Sequence, residues 1–250
     1  MIIDFHTHGK LSKKSEFDLE FLLGMVEEAK LNGLDAFTMT EHFNTLRFSD
    51  IYETLDEHFE YKEEYYDIDG FKIFPGLEVD IKETGHILLI GSRNDILQIS
   101  ERLAAHRHED NFIPFADLLS IAQSYNVIKI GAHPFRNSTP LHHIDHGLLS
   151  QLDFFDLNGK DLHYEGREVE FRVRKLGNEL NIPVVGGSDS HYPLQLGSIV
   201  NSLDRDCNTI EEIRTTIENG HYETAISPCL ETKVKAAKKI KNMLKESLGV

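Results

Sequence analysis

The chain has 250 residues, 27% charged and 40% hydrophobic, a length and balance that suit one large α/β core and require no second domain. Its formal net charge of −16 opposes a broad phosphate-backbone interface, so no nucleic-acid partner is expected, and no apolar run approaches the roughly 20 residues of a membrane span. Cys207 and Cys229 suit neither a Cys-x-x-Cys site nor a disulfide framework, and the start "MIIDFHTH" lacks the parts of a secretory leader, so a cytoplasmic protein is expected.

Short apolar runs alternate with helical periodicity along the chain. "MIIDFHTH" reads as a strand whose alternation puts Asp4, His6 and His8 on one face. Two adjacent imidazoles can clasp a metal, or can simply end a strand in solvent; Asp4 is placed to orient a ligand. "DLEFLLGMVEEAKLNG" sets Leu19, Leu22, Leu23, Val26 and Ala29 on one helical face and stops at Gly33. "DAFTMTEH" is a second strand ending in Glu41 and His42, with regular alternation turning Glu41 to the opposite face as supporting structure. "YETLDEHFEYKEEYYDIDG" is acidic and Tyr-rich, and reads as a solvated helical or irregular face.

"KIFPGLEVDI" carries Glu78, and "HILLIG" opens on His86, which suggests an irregular or antiparallel segment beside that glutamate. Helical patterns over 96–107 and 115–125 lead to the strand "VIKIGAHP", which delivers His133. The strand "FFDLN", a helix over 165–180 and the strand "PVVGGSDSH", ending in Asp189 and His191, follow. Glycines in "VIKIGAHP" and "PVVGGSDSH" allow close backbone approach to a site. The tail "ETKVKAAKKIKNMLKESLGV" has six lysines against two glutamates, with Val234, Ile240, Met243 and Leu244 at helical spacing. Residues 229–250 are therefore expected to form a basic helix packed on a domain of residues 1–228, with a basic contact arm as the alternative.

This order means α/β with a mainly parallel sheet. Ligand-type residues recur at strand ends, where the loops of parallel barrels open onto one face. Of the 14 histidines, His58, His106, His108, His142, His143, His146, His163 and His221 read as surface or locally bonded imidazoles; the other six stand beside strand ends. Nitrogen and oxygen donors without cysteine suit zinc, manganese or iron, and a carboxylate able to bridge two ions points to a multinuclear hydrolytic centre.

"DFHTH", "TEH", "GLE", "GAHP" and "GGSDSH", in this order, resemble the PHP superfamily, named for polymerase and histidinol phosphatase. "NTIEEIRTTIENGHYETAI" resembles the helix and strand that close such domains. The resemblance implies a distorted (β/α)7 TIM-like barrel with two or three divalent metal ions (Zn, Mn or Fe) at its mouth. Carried over by motif, His6, His8, Glu78 and Asp189 would hold one ion and Glu78, His86 and His133 a second, with Glu78 bridging; His42 and His191 would face a third position. The chain departs from the pattern in "HTHGKLSKKS", where Lys14 stands in place of the aspartate or histidine usual in trinuclear members. An ammonium cannot ligate. Either Lys14 lends a positive charge near the substrate phosphate of a binuclear centre, or Ser12, Glu16 or Asp18 completes the third position.

The implied activity is hydrolysis of a small phosphate monoester, such as histidinol phosphate or a nucleoside monophosphate, by a metal-bound hydroxide. Arg136 is expected to grip the phosphate with its fork, and a protonated His42 or His191 to serve the leaving group. Two alternatives stand beside it. An amidohydrolase-type C–N or ester hydrolase would want a lysine or glutamate bridging the metals, yet Lys129 lies inside its strand. A non-catalytic PHP domain would keep its metals as staples and serve as an interaction module.

Overall fold

The computed structural model describes residues 1–248. The chain begins with β1 (Ile2–Thr7), α1 (Leu19–Leu31), β2 (Ala36–Met39) and α2 (Ser49–His58). The strands β3 (Glu60–Lys62), β4 (Tyr65–Ile68), β5 (Phe71–Ile81) and β6 (Gly85–Gly91) follow, then α3 (Arg93–Arg102), α4 (Phe115–Ala122) and β7 (Val127–Gly131). Next come α5 (His146–Leu149), β8 (Phe154–Asn158), α6 (Gly159–Glu165), α7 (Arg167–Leu180) and β9 (Val184–Gly187). The chain closes with β10 (Ile199–Leu203), α8 (Ile210–Glu218), β11 (Tyr222–Ile226) and α9 (Leu230–Leu248).

Seven strands, β1-β2-β5-β6-β7-β8-β9, form a nearly closed barrel of the distorted PHP type, and β10 and β11 extend the sheet beyond β1. The barrel strands pair in parallel except β6, which runs antiparallel to both β5 and β7. That reversal is why His86 opens its strand and still stands at the mouth: it lies opposite Asp80, two residues beyond Glu78.

The barrel closes unevenly between β1 and β9. At the mouth, His8 N–H donates to Ser190 O (2.8 Å) and Asp189 N–H to His6 O (2.8 Å). At the other end, antiparallel β10 takes up Ile2 and Ile3 instead. The fully buried Asn201 side chain fills the seam, donating to Ile3 O (3.0 Å) and Gly186 O (2.8 Å) and accepting from Gly186 N–H (2.7 Å). Buried backbone groups need such partners, and an amide offers both a donor and an acceptor.

Below the mouth, Phe5, Phe74, Leu88, Ile130 and Phe154 form an inner cluster with Ile210 and Ile213 of α8. A larger cluster packs the outer helices on the strands, including Leu22 and Val26 of α1, Leu118 of α4 and Val173 of α7. The helix expected over 165–180 is broken at Gly166, whose φ of 70° separates α6 from α7. The helices expected over 96–107 and 115–125 end earlier, at Arg102 and Ala122.

The acidic stretch over 52–70 is not a solvated face. Tyr52, Leu55, Tyr66 and Ile68 are buried while Glu53, Asp56 and Glu57 are exposed, so the charges line only the outer side of α2 and of a β3–β4 hairpin. Tyr52 Oη donates to Gly76 O (2.8 Å) and accepts from Gly76 N–H (3.1 Å), bolting α2 to β5. At the other end of the chain, α9 docks through Val234 and Ala237, while Met243 is exposed.

Candidate metal centre

Glu78 lies at the centre of the barrel mouth. Its Oε1 is 2.6 Å from His86 Nδ1, 3.4 Å from His133 Nε2 and 3.6 Å from His6 Nε2. Its Oε2 is 2.8 Å from His42 Nδ1 and 3.5 Å from His8 Nε2. Asp189 Oδ1 adds a second carboxylate oxygen, 3.4 Å from His8 Nε2, and His191 stacks on His8 with ring centroids 3.9 Å apart. The structure thus brings together all eight residues expected as metal ligands. They gather as three compact sets: His6, His8 and Asp189; Glu78, His86 and His133; His8, His42 and His191.

The donor set fits divalent cations. The Nε2 atoms of His6 and His8 face one another at 3.2 Å, while Glu78 Oε2 is buried and meets His42 Nδ1 outside hydrogen-bond geometry. Such a concentration of lone pairs is costly inside a protein unless charge offsets it. Burial holds His42 at about 4; against the same burial, the Glu78 and Asp189 charges raise His6 well above the usual histidine range, and the Glu78 charge with the Asp80 hydrogen bond raises His86 to about 9. Burial, followed by the Arg136 charge, pushes His133 well below the usual histidine range; burial, followed by the His8 charge, does the same to His191. Neutral imidazole is the form that ligates. Burial would raise Glu78, but the His86, His42 and His6 charges hold it well below the usual carboxylate range.

Two of these residues sit in strained backbone. His133 has φ 33° and Asp189 φ 55°, in the left-handed region that β-carbon-bearing residues seldom visit, and each turns the chain just past the end of its strand. Gly187 explains part of the "GGSDSH" pattern: a β-carbon there would come within 2.4 Å of His6 Cβ. Gly131 instead yields to Phe155 and Leu152, so its reason is packing away from the site.

Two supporting residues escaped the sequence reading. Asp156 on β8 meets His6 Nδ1 at 2.9 Å and Asp80 on β5 meets His86 Nε2 at 3.0 Å. A charged residue within "FFDLN", a strand buried along its whole length, was the available signal for Asp156. Asp4 does its work through backbone: Oδ1 accepts from His6 N–H (3.1 Å) and Ser188 N–H (2.9 Å), tying β1 to the segment before Asp189. Glu41 is not turned away, because β2 ends at Met39 and alternation lapses there. It accepts from the N–H groups of Lys10 and His42 at 3.0 Å, with Oε1 3.7 Å from His8 Nδ1.

The expected cations are placed differently from one another. Arg136 engages all of its fork, with Nε on Asp161 (2.8 Å), one terminal nitrogen on Asn158 (2.9 Å) and the other on Asp189 Oδ2 (2.9 Å). Lys160 Nζ reaches the same Asp189 oxygen at 3.0 Å. Lys14 is exposed in a groove with Leu11, Phe17 and Leu244, whereas Lys13 pairs with Asp80 at 2.9 Å. Ser12, Glu16 and Asp18 are occupied elsewhere, by Ser15, by Arg47 and by capping α1. Lys129 pairs with Asp153 at 2.7 Å, within the barrel wall.

A PHP-associated family model matches residues 170–222. No curated protein matches the chain. Among solved structures the chain is similar to PsfC from Pseudomonas syringae PB-5123, at 20% identity and TM-score 0.81, over 97% of this chain and 98% of that one. It is also similar to the lesion-specific endonuclease PfuEndoQ from Pyrococcus furiosus, at 20% identity and TM-score 0.66, over 90% of this chain and 58% of that one. A third likeness is to a protein of Bifidobacterium adolescentis proposed as a metal-dependent phosphoesterase, at 15% identity and TM-score 0.52, over 86% of this chain and 94% of that one. At such identities the shared property is the fold, and the endonuclease leaves the expected exclusion of nucleic acid without support.

Proposed function

We propose that the chain is a PHP-superfamily protein, a reading supported by the PHP-associated match at residues 170–222, and that it is a metal-dependent phosphoesterase acting on a small phosphorylated metabolite, of the size of histidinol phosphate or a nucleoside monophosphate. The observation that carries this reading is the packing of five imidazoles around the one carboxylate of Glu78, with Asp189 beside them. His6, His8 and Asp189 would hold one divalent ion and Glu78, His86 and His133 another, with Glu78 between them; His8, His42 and His191 offer a third position. Zinc, manganese or iron bound there would neutralise phosphoryl oxygens and make a bound water acidic enough to react near neutral pH.

The chain's own residues do the rest. Asp156 and Asp80 aim the rings of His6 and His86, and Arg136 with Lys160 holds Asp189 in place. Arg136 is better suited to that positioning role than to gripping a phosphate, since every arm of its fork already has an acceptor. His42 and His191, held neutral by burial, suit metal ligation better than proton donation. The pairing of Lys129 with Asp153 gives the amidohydrolase alternative no bridging lysine.

A second reading, cleavage of a nucleic-acid strand, is favoured by the endonuclease likeness and opposed by the net charge of −16. Both are tested by one assay panel: small phosphate esters and an abasic DNA duplex, with manganese, zinc or iron, before and after chelation. The expected result is turnover of small esters that chelation abolishes and metal restores. Cleavage of the duplex alone would establish the second reading, and no turnover of any substrate by metal-loaded protein would refute both.

A further inference from the structure

Beside the metal centre lies a cavity of about 320 Å³ between α6, the turn at Tyr192–Gln195 and α9. One end is lined by His191, and Lys160, which reaches Asp189, lines its wall. The opposite wall is basic: Lys238, Lys241 and Lys245 recur along α9 at the spacing that stacks side chains on one helical face. The helix is held in this orientation by buried Val234 and Ala237, by Lys233 Nζ on Leu196 O (3.0 Å) and by Lys238 Nζ on Tyr164 Oη (2.7 Å).

The arrangement works against the fold. In a chain with 42 acidic and 26 basic residues, partners for lysine are plentiful, yet Lys241 and Lys245 have no carboxylate within ion-pair distance among the described residues. Burial, followed by the charges of Lys160 and Lys245, pushes Lys241 down to about 7. Like charges at this spacing destabilise a helix, so clustering them on a half-enclosed wall needs an anion to make it favourable.

The geometry points to an anion subsite in which Lys160, Lys241 and Lys245 bind a second phosphate of the substrate while the first lies on the metal centre. This rests on the phosphoesterase reading and narrows its substrate class to small esters that carry two phosphate groups. A walled cavity of this volume suits a single phosphate with its linker better than a continuous strand.

The test uses metal-loaded protein and three forms of the chain: wild type, the double variant K241Q/K245Q and, as control, K239Q, whose residue is exposed and does not line the cavity. Glutamine keeps helix propensity close to that of lysine. Inorganic pyrophosphate binding by calorimetry should weaken at least about tenfold in the double variant and stay unchanged in K239Q, as expected for loss of charge-assisted contacts. Wild type should prefer fructose 1,6-bisphosphate to fructose 6-phosphate by about tenfold in kcat/KM, and the double variant should lose that preference. Unchanged pyrophosphate affinity and unchanged preference overturn the subsite. An oligonucleotide that binds more tightly than the bisphosphate through the same lysines overturns its small-molecule assignment. Turnover of p-nitrophenyl phosphate by wild type checks the phosphoesterase reading separately: if it fails while pyrophosphate binding still depends on Lys241 and Lys245, the subsite stands and the reading falls.

Discussion

Asp156 is buried and meets His6 Nδ1, so it holds that proton in place and leaves Nε2 free toward Glu78 and His8. Replacing Asp156 by Asn preserves shape and removes the charge. The expected outcome is metal affinity about 10- to 100-fold weaker, read by competition with a chelator, in a protein that still folds. Removing a ligand is harsher: His6→Ala or Asp189→Ala should take one ion per chain from the metal count and nearly all turnover with it. Full activity in either variant would refute the assignment. Much of this residue scale was legible, because histidines and carboxylates at strand ends are conspicuous in sequence. Asp80 and Asp156 were not, since one acidic residue in a strand does not announce which ring it will meet.

Among the elements, α2 and α9 best show how partners decide the meaning of a segment. The acidic composition of residues 52–70 concealed an apolar side, because Tyr52 and Tyr66 face the barrel while the carboxylates face out. Tyr52→Phe leaves both polar groups of Gly76 without that hydroxyl, and should cost about 1–3 kcal/mol in urea unfolding. On α9, Lys241 faces Lys160 of α6, its helix neighbour Lys245, the Asp189 and Glu41 carboxylates, and His191. Its pKa in the folded chain, about 7, is below the unfolded value of 10.5. Between those values the unfolded chain holds more protons, so this residue's penalty is complete below about pH 7 and fades as pH rises toward 10.5. K241Q should therefore be more stable than wild type at pH 6.5, with the difference shrinking by pH 9.5. An equal gap at both pH values in chemical unfolding would show that the lysine is not under this strain.

For the whole molecule, closure of the barrel is the controlling event. The mouth exists because β1 meets β9 above a seam that Asn201 fills. Asn201→Ala strands Gly186 N–H and two carbonyls, and should destabilise the fold by about 3 kcal/mol or more. Chelation should lower the melting temperature as well, since an ion that binds only the folded chain contributes roughly 4 kcal/mol at a thousandfold excess over its dissociation constant. The sequence by itself determined the alternation of seven strands with helices and the types of donor at their ends, because periodicity and residue chemistry are local properties. Only the tertiary structure decided that β6 runs backwards, that Arg136 clamps Asp189, that Glu41 faces His8 and that α9 turns lysines toward His191. Each of those depends on which distant segment supplies the partner, and that is set by how the closed barrel buries its apolar faces and pairs its polar groups.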